Sequence, residues 1–501
     1  MRTVIGLALA LATCAAPALA QQPVQATLTL EEAVGLARRN NPDYLAQQND
    51  AGVADWAVRE AYGSLLPGAS VSSSLAWQDA GTPRFGIFTG EDLGIGGSTS
   101  YYSSSYSVGL SYRLSGSTLL APSREKAARR ATTATIEAAR FSLEANVTRQ
   151  YLAVLRARDG VELARSELAR AEENVRLAEA RVEVGVGIPL EVKQAQVERG
   201  RAQVAILQSE NMVRTERLRL GQTIGVPLEL EVRLTTDFAV TDVPWQAEDL
   251  IATALDANPQ IRAARASERA SVAGVTMART AYLPSLSMSA GFTGFTRQAG
   301  NEDFLVQQAR DQITGQRENC QFQNMLSDRL TSPLPGRPAD CSAFVLTPGQ
   351  ESQIRSGNDV FPFDFSREPL SVSLQLSLPV FQGFGRQRQV EEAKAVAADA
   401  RYRVRSEELR VRTDVGAAYF DLVTARQTVA LEIENQQLAD DQLVQARERY
   451  RVGAAPFIEL QEAETVKARA DRAYLTAVYA FHEALAALET AVGRPLRTEI
   501  R

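Results

Sequence analysis

The chain has 501 residues, with 54 Lys and Arg against 60 Asp and Glu and a net charge of −6 at pH 7. That length allows two to four ordinary domains, and so mild a negative balance excludes a protein that holds nucleic acid through a basic field. A single histidine excludes histidine-built metal clusters, and 45% apolar residues exclude a disordered chain; 7% aromatic residues in a sequence full of Ala, Arg, Glu, Gln and Val favour long helices over a thick globular core.

The first residues read as an address. Arg2 is followed by the apolar run Val4–Ala12 and by Ala18-Leu19-Ala20, which predicts a secretory signal over 1–20 cleaved after Ala20. Lipidation at Cys14, after Leu11-Ala12-Thr13, is the competing processing route. The run is too short to span a bilayer as a helix, and no later segment approaches the 18 continuous apolar residues a spanning helix needs.

The remainder is a tandem repeat, 21–243 and 244–501. Asn41-Pro42 recurs as Asn258-Pro259 and Leu66-Pro67 as Leu283-Pro284 at one constant offset. Ser107-Val108, Leu110 and Leu114 recur as Ser371-Val372, Leu374 and Leu378 at a larger offset. Tyr151, Arg181, Gly185, Glu191 and Gly225-Val226-Pro227-Leu228 recur as Tyr419, Arg449, Gly453, Glu459 and Gly493-Arg494-Pro495-Leu496 at a third. The jump between Pro284 and Ser371 marks an insertion in the second copy, expected as a loop over 296–368. It holds Cys320 and Cys341. In an oxidising compartment this pair favours one disulfide over two free thiols, and no nearby histidine supports a metal site.

Each copy has the same predicted elements. Thr29-Leu30-Glu31-Glu32 is a capping box opening a short helix, matched by Gln246–Asp256. A second helix starts near Asn41 or Asn258 and stops at the Leu-Pro pair. Strands follow at about 68–78 and 105–115 in the first copy, and at about 285–295 and 369–380 in the second. Val71, Leu75 and Trp77 alternate with Ser70, Ser72 and Ser74; Leu370, Val372, Leu374, Leu376 and Leu378 alternate with Ser371, Ser373, Gln375 and Ser377. About ten residues with one apolar and one small polar face fit a transmembrane β-strand around water, and equally a soluble sheet packed on helices. Tyr101, Tyr102, Tyr106, Trp77 and Phe295 stand near the strand ends, where an interfacial girdle belongs. The segment 79–102, like 296–368, joins a pair of strands.

No proline falls between Pro122 and Pro189 or between Pro379 and Pro456. About 60 helical residues at 1.5 Å each reach roughly 90 Å, far beyond an ordinary globular helix. Recurrent Ala lets such helices pack closely, as in coiled coils or helical tubes. Four strands cannot close a barrel, and an open edge cannot sit in lipid. If the strands span a membrane, several chains must close the barrel together, and three give twelve strands around a lumen.

The repeat, the Asn-Pro and Leu-Pro landmarks and two Arg-x-x-x-Gly turns resemble the TolC-type outer-membrane efflux proteins over essentially the whole mature chain. The resemblance implies an α+β membrane protein: a homotrimer whose long helices form an α-helical barrel in the periplasm. Four β-strands per chain would form one third of a 12-stranded transmembrane β-barrel in the outer membrane lipid of a Gram-negative bacterium. It implies a passive duct with no cofactor or catalytic residue, and as partners a periplasmic adaptor (membrane fusion protein) and an inner-membrane pump or ABC secretion transporter. The turns are 181–192 and 449–460. Arg181, Gly185, Pro189, Arg449, Gly453 and Pro456 are the expected adaptor-binding tip. Glu459 and Glu462 match a carboxylate constriction at the entrance, and Glu191 and Tyr450 match a pair linking neighbouring helices in closed channels. Ala455 stands where the family can carry a further linking Arg, and Pro189 and Pro456 replace Ser/Thr caps. From the residues alone, Glu191 could equally serve only its helix N-terminus. His482 in its Ala/Leu-rich helix reads as packing. The reading from another class is a secreted coiled-coil structural or adhesive protein, which needs neither the strands nor their duplication.

Overall fold

The computed structural model describes residues 27–496 apart from 82–83, 90–97, 228–231, 237, 333–334, 337 and 339. The expected signal peptide and Cys14 lie outside the described residues. In chain order the elements are β1 (Thr27–Leu28), α1 (Leu30–Asn40), α2 (Pro42–Gly63), β2 (Gly68–Gln78), β3 (Arg84–Phe85), β4 (Phe88–Thr89), β5 (Tyr101–Leu114), α3 (Gly116–Glu183) and α4 (Pro189–Ile224). The second copy follows with β6 (Arg233–Leu234), α5 (Ala247–Ala257), α6 (Pro259–Arg279), β7 (Ser285–Ala299), α7 (Glu302–Ser327), α8 (Pro348–Asn358), β8 (Ser366–Arg367), β9 (Ser371–Ser377), α9 (Gly385–Arg451) and α10 (Phe457–Val492). Among the described residues no helix is long and apolar enough to cross a membrane.

The chain forms two compact units, and both draw on both copies of the repeat. One unit takes the residues up to Arg59, Ser123–Thr276 and Arg388–Arg501. It is helical, and its repeat landmarks are joints between helices. In the first copy Asn41 caps α2, accepting from the Tyr44 amide at 2.9 Å. Its side-chain amide donates to the Thr223 carbonyl at the end of α4, also at 2.9 Å. In the second, Asn258 accepts from the Gln260 amide at 2.8 Å and donates to Ala491 O of α10 at 2.8 Å. Pro42 and Pro259 occupy first helical positions, where a missing N–H costs nothing. Gly225 and Gly493 end α4 and α10 at φ 86° and 87°. A Cβ there would lie 2.3 Å from Asn40 O and 2.7 Å from Asn258 Cα respectively, so only glycine lets the two helix ends meet. Thr29 and Glu32 form the reciprocal capping box at the start of α1. Gln246 is the residue before α5 and makes no side-chain cap.

Two apolar cores lie beside these joints. One surrounds Tyr151, fully buried, whose hydroxyl donates to Leu28 O at 2.9 Å and accepts from the Thr236 amide. The other gathers Leu250, Ile261, Val415, Leu422, Phe481 and Leu488. His482 is 2% exposed among the rings of Phe238, Tyr479 and Phe481.

The second unit, Glu60–Pro122 and Met277–Gln387, holds among the described residues a sheet of five strands. Strand β5 pairs antiparallel with β2 and β7, and β7 pairs on its other side with β9 and, further along, the short β8. The register puts Ala69 against Leu110, Val71 against Val108, Val108 against Phe292 and Ala290 against Val372, so one face is apolar. The other is a hydroxyl ladder, with Ser72–Ser107, Ser74–Ser105 and Ser289–Ser373 hydrogen-bonded at 2.7, 2.8 and 2.7 Å.

Boundaries differ from expectation where apolar alternation is a poor guide to the backbone ladder. Strand β5 begins at Tyr101, not 105, and β7 runs to Ala299, not 295, because the two pair along their whole length. Strand β9 ends at Ser377, just before Leu378-Pro379, where proline has no amide to donate. Helix α3 starts at Gly116 and takes Pro122 into its second turn. The insertion 296–368 is not a plain loop: it carries α7, α8 and a disulfide between Cys320 and Cys341, whose Cα atoms are 5.8 Å apart. Asn301 caps α7 and a Thr347–Gln350 capping box opens α8, signals that polar composition obscured.

Candidate functional site

The two tip turns are built alike. In the first, Gly185 adopts φ 80° and the amides of Val186 and Gly187 both donate to Arg181 O, at 3.0 and 2.9 Å. In the second, Gly453 adopts φ 78° and the amides of Ala454 and Ala455 both donate to Arg449 O, at 2.7 and 3.2 Å. The left-handed glycine lets the chain reverse within a few residues. Pro189 then begins α4 with Glu191 in its first turn. Pro456 lies one residue earlier relative to its helix, in extended backbone as the N-cap of α10.

Beneath the turns the hairpins interlock. Tyr450 is fully buried, and its hydroxyl donates to Glu191 Oε2 at 2.9 Å, tying the α9–α10 hairpin to the α3–α4 hairpin. Phe457 stands edge-on to its ring at 5.5 Å, and Val175, Ala178, Leu443 and Leu460 complete the packing. Burial, followed by the hydrogen bond and the charge of Glu191, pushes the Tyr450 hydroxyl pKa well above the ordinary tyrosine range, with Arg181 opposing.

Arg181 lies elsewhere than expected. It is only 9% exposed, and its Cζ sits 4.2 Å from the centre of the Tyr450 ring. It belongs to the hairpin linkage rather than to an open docking surface. Its Nη2 donates to Val186 O at 3.4 Å, while Nε and Nη1 have no hydrogen-bond partner among the described residues. Ala455, where the resemblance allows a linking Arg, is buried, and a guanidinium from the other hairpin lies on the tyrosine instead. Identical Arg-x-x-x-Gly motifs gave no sign of this asymmetry; it depends on what each arginine meets, a tyrosine ring for Arg181 and the Glu459 carboxylate for Arg449.

Gly185, Pro189, Arg449, Gly453 and Pro456 are exposed. Arg449 is paired with Glu459, so the two expected constriction carboxylates differ: Glu459 has a cation partner in its own chain, whereas Glu462 is exposed with no ion pair among the described residues. Further along the hairpins is a polar cluster that the sequence did not reveal. Asp471, 6% exposed, accepts from Gln436 at 2.8 Å and Lys467 at 2.9 Å. Glu464 accepts from Asn174 at 2.8 Å and Arg447 at 3.0 Å, and Arg170 lies within 3.4 Å of both carboxylates. The i, i+3 and i+7 spacing of Glu464, Lys467 and Asp471 was the available signal, but it resembles any solvated helix face.

Long helices duplicated around two interlocked turns, with a sheet of one apolar and one hydroxyl face, find a match among known proteins. The profile of the outer membrane efflux protein family covers residues 33–226 and 349–494, more than half of the chain. The chain belongs to this family. Outer membrane protein TolC of Vibrio cholerae is 26% identical over 266 residues, 52% of this chain and 57% of that protein. The chain thus spans about half the length of the curated relatives it matches. Among solved structures, CusC superposes with a TM-score of 0.68 at 16% identity, covering 95% of this chain and 96% of that one. The Campylobacter jejuni CmeC outer membrane channel gives 0.67 at 17% identity, covering 93% and 85%. At these identities the superpositions establish the fold: long helices joined to a β-sheet domain. Family membership makes the chain an outer membrane protein of the efflux type.

Proposed function

We propose that the chain is the outer-membrane exit duct of a tripartite efflux or type I secretion system, a passive channel of three copies opened at its helical tip. The observation that carries this reading is the sheet. Among the described residues β2 and β9 each pair on one side only, and the faces divide into apolar side chains and a ladder of serines. Lipid against one face and water against the other account for that division, and lipid tolerates no open edge. Pairing β2 of one copy with β9 of the next removes both edges, and three copies give twelve long strands. Energy comes from the inner-membrane pump or ABC secretion transporter. A periplasmic adaptor engages the exposed tip residues Gly185, Pro189, Arg449, Gly453 and Pro456. The Tyr450–Glu191 linkage, with Arg181 stacked on it, holds the hairpins closed. Glu459 and Glu462 line the entrance. No catalysis is needed, since the duct only conducts.

Membrane fractionation with planar-bilayer conductance tests the duct: recovery in the outer membrane and discrete channels are expected, and a soluble protein without channels refutes it. Cross-linking from Arg449→Cys or Pro456→Cys, followed by co-purification, identifies the adaptor and transporter.

A further inference from the structure

The inserted segment does not leave the sheet freely. From β8, paired with Gly294 and Phe295 of β7, the chain crosses the sheet. Phe365 meets Tyr106 edge-on at 4.8 Å, Pro362 O accepts from Ser104 Oγ at 2.6 Å, and Phe361 lies 5.6 Å from the Tyr102 ring. The Phe361 amide donates to Gln298, and Asn358 exchanges two hydrogen bonds with the backbone of Ala299, at 2.7 and 2.9 Å. Tyr102, Ser104 and Tyr106 alternate with Ser103, Ser105 and Ser107, and so lie on the face of Val108 and Leu110. Gln298 shares that face through Phe292. The strap therefore covers the apolar side, whereas a lid over the pore would reach the serine side. Ser104 and Thr296, each 3% exposed, bond each other at 2.8 Å beneath it, which explains hydroxyls on an otherwise apolar face.

Its level on the sheet is informative. A lipid-facing band about 25 Å tall, spanned by strands tilted about 40°, takes roughly ten residues. Counted up β5 from its last residue, Leu114, ten residues reach Ser105, whose partner Phe295 pairs with Ser366 at the end of the strap. Phe361 and Phe365 turn toward the sheet, but Phe363 is 81% exposed, with Trp77 exposed at the same level opposite Tyr102. Asp364, Arg367 and Glu368 flank it, as suits a headgroup boundary.

We propose that residues 358–366 form an external collar, a contact surface for outer-leaflet lipid, with Phe363 set at the boundary between headgroups and acyl chains and the pore mouth left uncovered. This rests on the reading above that the apolar strand face meets lipid. The test uses nitroxide labels on the full chain reconstituted in lipid, at Phe363→Cys, at Leu374→Cys on the apolar face and at Ser289→Cys on the serine face, with Cys320–Cys341 kept oxidised. Relaxation by molecular oxygen is compared with relaxation by a water-soluble nickel chelate. Oxygen dominating at 363 and 374, and nickel at 289, is the expected result. Nickel dominating at 363 while 374 stays lipid-like overturns the collar and leaves the duct intact. Nickel dominating at 374 overturns the strand-face reading and the collar with it. Phe363→Asp should leave single-channel conductance unchanged, and a twofold rise would mean that the segment had been covering the pore.

Discussion

Tyr450 is the residue on which both hairpins converge, and its surroundings allow separate tests of packing and polarity. Tyr450→Phe keeps the ring against Phe457 and removes only the donor to Glu191. A hydrogen bond to a charged group contributes about 1.5–3 kcal/mol, so the open-to-closed ratio should rise roughly tenfold or more, read as basal conductance of the reconstituted channel. Arg181→Gln should act in the same direction, since it removes the guanidinium stacked on the ring. The pH response follows from the raised pKa of Tyr450. The folded-state value exceeds the unfolded one, so the stabilisation is complete below the ordinary tyrosine range near 10 and is lost as pH rises through the folded value. Alkaline titration from pH 7 to about 10 should therefore leave this linkage intact; leakage that tracks a midpoint below 10 would assign the closed state to another group. Selectivity belongs to the neighbouring carboxylates. With Glu459 already paired to Arg449, Glu462→Gln should reduce cation selectivity, measured as reversal potential in a salt gradient, more than Glu459→Gln does, and Arg449→Gln should increase it.

Among elements, the joints between helices matter most. Asn41 and Asn258 each cap one helix and satisfy the last turn of another, and both are buried. Alanine at either position strands buried polar groups and should cost about 1–3 kcal/mol, seen as a lower midpoint of thermal unfolding by circular dichroism. A loss below a few tenths of a kcal/mol would show that water replaces the side chain there. In the insertion, the Cys320–Cys341 disulfide closes a loop with a sequence separation of 21. Serine at both positions should cost about 3 kcal/mol locally. Faster proteolysis confined to residues between α7 and α8, with conductance unchanged, is the expected signature.

The whole molecule divides its surface by strand alternation, and that division is open to direct challenge. Leu374 and Ser373 are neighbours in β9 on opposite faces. Lysine in place of Val372, which shares the face of Leu374 and lies level with Leu110 in the middle of the roughly ten-residue band, should destabilise the inserted protein by about 2–4 kcal/mol and reduce the yield of assembled channels, whereas Ser373→Lys should assemble normally and shift ion selectivity. Equal tolerance of both would remove the case for lipid on the apolar face.

The sequence by itself determined the repeat, the helix and strand types and the family, because these rest on periodicity and on residues with local backbone consequences. Asn-Pro and Gly-x-Pro mark joints, and period-two Ser/Leu alternation marks strands. It also brought Glu191 and Tyr450 forward, through their places in the two turns. Tertiary structure alone decided which partners those side chains meet. Arg181 and Arg449 occupy equivalent positions, yet one is buried on a tyrosine and the other is exposed beside Glu459, since the hairpins pack asymmetrically. The full length of β5 and β7 was hidden because Ser104 and Thr296 break the apolar pattern while the backbone ladder continues. The course of 358–366 was hidden for a related reason: a strap is held by single contacts to a distant sheet, and such contacts leave no period in the chain.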